Sequence, residues 1–116
     1  MKVYDCFMYF DEDTIVDLRF NCLNNYVDKF VIVESKFTHS GKKRNLLFDI
    51  NKFKHFQNKI NYFVLDHEPS GIETVFDKDD EGTKSIKYIL NAAKRENYHR
   101  NCIIKGLEKA GPEDII

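Results

Sequence analysis

Apolar and polar positions fall into blocks along this chain, and the blocks change period in a regular order. Lys2 to Phe10 is nearly all apolar and β-prone, which predicts an opening strand. Asp11 to Asp13 offer capping oxygens, and beyond them Ile15, Leu18, Cys22 and Tyr26 recur at helical spacing. Phe20, Leu23 and Val27 widen that face, so an amphipathic helix is expected; Arg19 interrupts it and is expected to pair with Glu12 or another carboxylate. Lys29 to Glu34 is the second strand, whose unbroken run Phe30-Val31-Ile32-Val33 suits a strand covered on both faces. Ile50, Phe53, Phe56 or Gln57, and Ile60 predict a short second helix, followed by a third buried strand from Tyr62 to Leu65. Pro69, Ser70 and Gly71 break the pattern, and the acidic run Asp77 to Glu81 with Gly82 predicts a solvated connection. Ser85 to Ala110 is the longest helical pattern, stopped by Gly111 and Pro112. Glu113 to Ile116 resembles the start of a fourth strand, so residues 1–116 are expected to be the N-terminal portion of a single domain in a longer protein.

Strands alternating with helices predict an α/β fold with a mostly parallel sheet flanked by helices. Ligands of such sheets collect beyond the carboxyl ends of the strands. Glu34, Thr38, His39, Ser40 and Gly41 stand there, and Ser40 and Gly41 followed by Lys42, Lys43 and Arg44 mark a flexible basic loop. On the long helix, Ile89, Ala93, Glu96, Arg100, Ile103 and Leu107 follow steps of three and four, which predicts that Glu96 and Arg100 share the sheet-facing side. An Arg held by a carboxylate one turn away can clasp a diphosphate; the plainer alternative is a solvated pair on the helix surface. Arg95 and Asn101 flank the pair.

Composition narrows the function classes. With 18 basic and 19 acidic residues the formal net charge is -1, so no global field recruits nucleic acid or an anionic membrane. An aromatic share of 14% gives a core large apolar pieces and argues against disorder. Cys6, Cys22 and Cys102 are odd in number and far apart, and predict buried thiols in a reducing compartment. No apolar stretch approaches the roughly 20 residues of a membrane span, and the acidic N-terminus does not read as a signal peptide, so a soluble, cytoplasmic chain is expected.

Three sharper motifs compete. Asp77, Asp79, Glu81 and Gly82 imitate a calcium loop, but Tyr88 stands where a bidentate Glu is required. Asp11 and Asp13 follow the first strand as the nucleophile and acid of a haloacid-dehalogenase-like phosphatase would, although helix capping explains them more simply. His39 is a possible general base or ligand, though a single loop His is more often a plain hydrogen-bonding residue. A non-catalytic doubly wound binding module is the remaining alternative.

The stretches YDCFMYFDEDTIVDLRFNCLNNYVDKFVIVESKFTHSGKKR and RENYHRNCIIKGLEKAGPEDII together resemble glycosyltransferase family 17, the β-1,4-mannosyl-glycoprotein β-1,4-N-acetylglucosaminyltransferase-like group. The likeness covers most of the chain and is weakest from Ser70 to Lys84. It implies a GT-A type (Rossmann-like) fold, a UDP-sugar donor such as UDP-N-acetylglucosamine, a glycan acceptor, and a divalent cation, manganese or magnesium. It also implies that Glu34, Thr38, His39, Ser40, Gly41 and Lys42 border the donor nucleotide, with Arg95, Glu96 and Arg100 completing the wall. In that family the strand opened by Asp114 to Ile116 runs into an Asp-x-Asp type metal motif, so residues 1–116 alone are expected to be an incomplete, inactive fragment.

Overall fold

A computed structural model describes residues 1–116. Three parallel strands, β1 (Tyr4–Tyr9), β2 (Lys29–Ser35) and β3 (Ile60–Leu65), lie in sequential order with β2 in the centre. The predicted α/β class is therefore present as a small parallel sheet. Its central strand is the apolar run singled out in the sequence, and Phe30 to Val33 are fully buried. The third strand opens two residues earlier than predicted, at Ile60. Near the C-terminus, Ile115 pairs in parallel with Val3, through Tyr4 N to Ile115 O (2.8 Å) and Ile115 N to Lys2 O (2.8 Å). The residues expected to open a fourth strand thus make a single bridge on the β1 side, outside the three-stranded sheet.

Helix α1 (Asp13–Leu23) covers one face of the sheet. The residues it buries are Val16 and Phe20, continued by Leu23 and Val27, while Ile15, Leu18 and Tyr26 are more than half exposed and Cys22 faces solvent. This corrects the predicted face by about a quarter turn and removes Cys22 from the expected buried thiols. Two adjacent apolar stripes run along α1, and only the one starting at Val16 meets the aromatic pieces of the following crossover. That crossover is a 3-10 helix, Ile50–Lys59, broken by non-helical angles at Phe53 (φ -126, ψ 39), where a continuous helix was expected. The break puts both Phe53 and Phe56 against Phe20, at ring separations of 5.2 Å each.

The other face is covered by α2 (Glu81–Asn101) and a 3-10 turn, Cys102–Leu107, that packs Cys102 and Ile103 against Val33 and Leu65. Helix α2 starts four residues earlier than the periodicity suggests, because Asp80 caps it by accepting from Thr83 N at 2.6 Å. Asp79 accepts from Lys87 Nζ (2.7 Å) and Phe76 N (2.9 Å), so the acidic run, solvated as expected at Asp77, Asp80 and Glu81, also forms the hydrogen-bonded start of the helix. The helix also ends earlier than expected, tightening at Cys102 well before Gly111. Gly106 permits this: a Cβ there would stand 2.3 Å from Val31 Cγ1, so only glycine lets the turn lie flat on β2.

The N-terminal half of α2 projects beyond the sheet, with Ile86, Tyr88, Ile89 and Leu90 exposed. The segment after β3 is laid along it, held by Asn91, which bonds the Glu73 backbone on both sides at 2.8 and 2.9 Å, and by Lys94 and Lys87 on the carbonyls of Gly71 and Thr74. That projection gives a radius of gyration of 16.9 Å, against about 13 Å for a compact chain of about 100 residues.

Candidate functional site

Glu34, one residue before the end of β2, has its carboxylate entirely out of water. An isolated buried charge is untenable, and here four donors meet it. Leu47 N (2.8 Å) and Arg44 Nη1 (3.0 Å) approach Oε2, while Phe48 N (3.1 Å) and the Tyr62 hydroxyl (2.6 Å) donate to Oε1. Burial, reinforced by the bond to Glu34, pushes the Tyr62 hydroxyl well above its ordinary value. Arg44 also donates to Ser35 O at 2.6 Å and to Phe10 O, joining the carboxyl ends of β1 and β2. Glu34 thus organises the strand ends and the segment that follows.

From that base rises a short hairpin. Phe37 pairs with Lys43, Arg44 N donates to Lys36 O (2.8 Å), and Thr38 N donates to Lys42 O (2.8 Å). The Thr38 hydroxyl accepts from Lys42 N (3.0 Å) and meets Ser40 Oγ (2.9 Å), so the loop predicted to be flexible is a hydrogen-bonded turn. Gly41 takes φ 91, the left-handed region that glycine occupies without strain. Its missing side chain has a second use, because Arg95 packs where a Cβ would sit, 2.6 Å from Nη2. Arg95 in turn donates to Glu68 Oε1 (2.7 Å) and to His39 O (3.2 Å).

The structure therefore brings Thr38, His39, Ser40, Gly41, Lys42 and Arg95 together over the carboxyl ends of the strands. It does not bring Glu96 and Arg100 there. Those two form a surface pair at 2.8 Å with side chains 44% and 55% exposed, which is the solvated alternative. Arg100 borders a separate open cavity with Cys6, Ile103 and Ile116. The reason is the rotation of α2: the stripe turned inward is Asn91 on the Glu73 backbone, Arg95 on Glu68 and the hairpin, and His99 on β2, not the apolar stripe through Ile89. Arg19, expected to pair with Glu12 or another carboxylate, grips Asp5 with two nitrogens at 2.5 Å each and lies over the Phe7 ring. Of the phosphatase pair, Asp13 is engaged by the Tyr9 hydroxyl and Lys52, and Asp11 is exposed.

Arg44, Phe10, Glu68 and His99 belong to this site and were missed in the sequence. His99 is 1% exposed, and its Nε2 bonds Val33 O at 2.9 Å; a carbonyl only accepts, so the proton resides on Nε2. Phe10 packs edge-on against both imidazoles, 5.0 Å from His39 and 5.4 Å from His99. The spacing of Asn91, Arg95 and His99 by fours is the signal that could have revealed the inward polar stripe.

Burial pushes the His99 imidazole below its ordinary value, with His39 and Arg44 acting the same way and Val33 O and Glu34 opposing. The neutral ring is the folded form. As pH falls through about 6.5, the unfolded chain gains a proton that the folded chain refuses, so stability is lost on the acid side and is fully present above that pH. Urea denaturation at pH 7.5 and 5.0 is expected to show wild type losing stability more steeply than His99→Gln. Parallel losses in the two proteins would remove His99 as the cause.

Two spaces adjoin the hairpin. One, of about 490 Å³, opens on its outer side and is lined by Lys36, Phe37, Lys43, Arg44, Asn45 and Asp66. The other lies between the hairpin and α2, beside Thr38, His39, Arg95 and His99, and holds only about 10 Å³. Nowhere in the chain do three or more His, Cys, Asp or Glu side chains converge in a way that would hold a metal ion.

A sequence profile described as Glycosyltransferase family 17 matches residues 1–105. Among curated proteins, the Beta-1,4-mannosyl-glycoprotein 4-beta-N-acetylglucosaminyltransferases of Homo sapiens and Rattus norvegicus are each 39% identical to this chain over 64 residues. The aligned stretch is 52% of this chain and 12% of each relative, so the chain spans a small part of the length of the relatives it matches. The Mus musculus protein of the same name is 38% identical over the same length. No solved structure matches.

Proposed function

This chain belongs to glycosyltransferase family 17, and from that premise we propose that it forms the donor-binding part of a GT-A type, Rossmann-like N-acetylglucosaminyltransferase that takes a UDP-sugar and passes the sugar to a glycan acceptor. The observation that carries the reading is the profile match over residues 1–105 coinciding with a cationic, ligand-sized space at the carboxyl ends of a parallel sheet. Thr38, His39, Ser40, Gly41, Lys42 and Arg95 build the rigid hairpin that borders the donor, and Glu34 with Arg44 holds that hairpin on the strand ends. Glu96 and Arg100 lie away from it on the surface of α2 and have no role in this proposal.

In the reaction an acceptor hydroxyl oxygen bonds to the anomeric carbon of the donor. The bond from that carbon to the diphosphate breaks, the electron pair stays on the diphosphate oxygen, and the hydroxyl proton passes to a base. What this chain contributes is position and charge: ammonium groups carried on the hydrogen-bonded hairpin beside the diphosphate stabilise the developing negative charge. The carboxylates near the site do not fit a manganese or magnesium ion. Glu34 is surrounded by its four donors and Glu68 is bound to Arg95, which leaves the exposed Asp66 as a single carboxylate with no second one converging on it. No step is therefore routed through a metal.

Titration calorimetry of the folded chain with UDP-N-acetylglucosamine is expected to give saturable heat with a dissociation constant on the order of 0.1–1 mM, as suits a partial site. A non-catalytic binding module predicts no heat at any nucleotide-sugar concentration, and that outcome would sink the donor-binding reading.

A further inference from the structure

We propose that the nucleoside diphosphate of the donor is held on the outer side of the hairpin, in the space between Lys36, Lys43, Asn45 and Asp66, and not in the cleft between the hairpin and α2; this placement rests on the donor-binding reading above. Room decides first. The outer space, at about 490 Å³, falls in the range of small-molecule sites, whereas the inner cleft at about 10 Å³ has room for a single water. In the inner cleft Arg95 is committed to Glu68 and to His39 O, and the buried His39 Nε2 and His99 Nδ1 have no hydrogen-bond partner, so these groups call for one small polar guest and leave no room for a diphosphate.

The chemistry of the outer space matches the parts of a nucleoside diphosphate. Lys36 and Lys43 are exposed, and their ammonium groups take part in none of the ion pairs or side-chain hydrogen bonds of the chain, so both are free for phosphate. Arg44 also lines the space, but its guanidinium is committed to Glu34, Ser35 and Phe10, which makes it a fixed wall with its charge already balanced. Asn45 and Asp66 are hydroxyl partners. A carboxylate repels phosphate, so Asp66 belongs against ribose or sugar, with Lys36 drawing its carboxyl below the usual range after His67 has done so. Phe37 gives an apolar surface for the base.

The backbone fixes these groups at the right separation. Lys36 N donates to Leu65 O at 2.9 Å, tying the hairpin base to the end of β3, and so sets Lys36 beside Asp66. The Phe37 to Lys43 pairing returns the chain so that Lys43 and Asn45 reach the same opening. Two free ammonium groups facing one carboxylate suit a short dianion with hydroxyls attached. They do not suit a polyanion, for which a longer basic track is required.

The test uses the whole chain and three proteins: wild type, Lys36→Ala/Lys43→Ala, and Lys54→Ala, which removes an exposed lysine of the 3-10 crossover away from the hairpin. All three lysines are exposed, so unchanged thermal midpoints check that each variant folds. Calorimetry with UDP is expected to show the double variant weakened about tenfold or more, with Lys54→Ala within about twofold of wild type. Uridine, which lacks the phosphates, is expected to bind wild type and the double variant alike. If UDP binds wild type and the double variant equally, or if Lys54→Ala carries the loss, the placement is overturned while the donor-binding reading stands. If wild type binds neither UDP nor UDP-N-acetylglucosamine, both fall together.

Discussion

Replacing Glu34 by Ala is expected to lower the stability of the fold by about 3–5 kcal/mol, because it leaves Arg44 with an uncompensated charge at a largely buried position. The loss also strands the N–H groups of Leu47 and Phe48 and the Tyr62 hydroxyl, all of which donate to that carboxylate. For a chain of this size each kcal/mol moves the thermal midpoint by about 4 °C, so a fall of about 12–20 °C is the expected reading. Glu34→Gln keeps the shape and an acceptor but not the charge, and should fall between the two. A Glu34→Ala protein that melts within a few degrees of wild type would mean that the strand ends and the hairpin are held by something other than this cluster.

The second large effect is at Phe20. Its ring is fully buried and packs on Phe30 (4.6 Å between centroids), Phe53 and Phe56 (5.2 Å each) and Phe7 (6.3 Å), so it joins α1, β2 and the 3-10 crossover in one contact set. Phe20→Ala is expected to reduce stability by about 3–5 kcal/mol through lost transfer energy and the cavity left behind. The urea midpoint should fall with the denaturant slope unchanged. Leu18→Ala, on the neighbouring stripe, leaves a residue that is already 59% exposed, and should change stability by less than about 0.5 kcal/mol. A larger loss for Leu18 than for Phe20 would mean that α1 turns its other stripe to the sheet.

That pair of substitutions also marks where the sequence was legible and where it was not. The strands were legible because Phe30 to Val33 and Tyr62 to Leu65 are continuous apolar runs, too short for helices and rich in β-branched or aromatic residues. The short pairing at Ile115 was legible from the same pattern. Helix existence was readable as well, but helix rotation was not. Both α1 and α2 carry two candidate stripes, and periodicity ranks the more apolar one first. On α1 that ranking exposes Ile15 and Leu18; on α2 it exposes Ile89 and pushes Glu96 and Arg100 to the surface. The inward stripe of α2 is polar, Asn91, Arg95 and His99, because what it meets is the Glu73 backbone, the His39 carbonyl of the hairpin and the Val33 carbonyl of β2, which a purely apolar stripe could not satisfy.

The candidate site was half legible for a related reason. Glu34 and the Thr38 to Lys42 turn were visible as polar residues after a buried strand, yet the direction of their hydrogen bonds was not. Glu34 points inward to four protein donors, and His39 is backed by Phe10 and His99, so both frame the hairpin from within. Lys36, Asn45 and Asp66 escaped notice because each is a common surface residue type whose neighbours are fixed only by the parallel pairing of β2 with β3.

The central claim is that the carboxyl ends of this sheet, roofed by the Lys36 to Arg44 hairpin, receive the donor nucleotide. The most direct test is a backbone amide NMR titration of the whole chain with UDP-N-acetylglucosamine. The account predicts saturable shifts confined to Lys36, Phe37, Lys43, Arg44, Asn45 and the residues around Asp66, with the exposed pair Glu96 and Arg100 unmoved. Shifts centred on α2 at Glu96 and Arg100, or a spectrum unchanged at millimolar ligand, would contradict it.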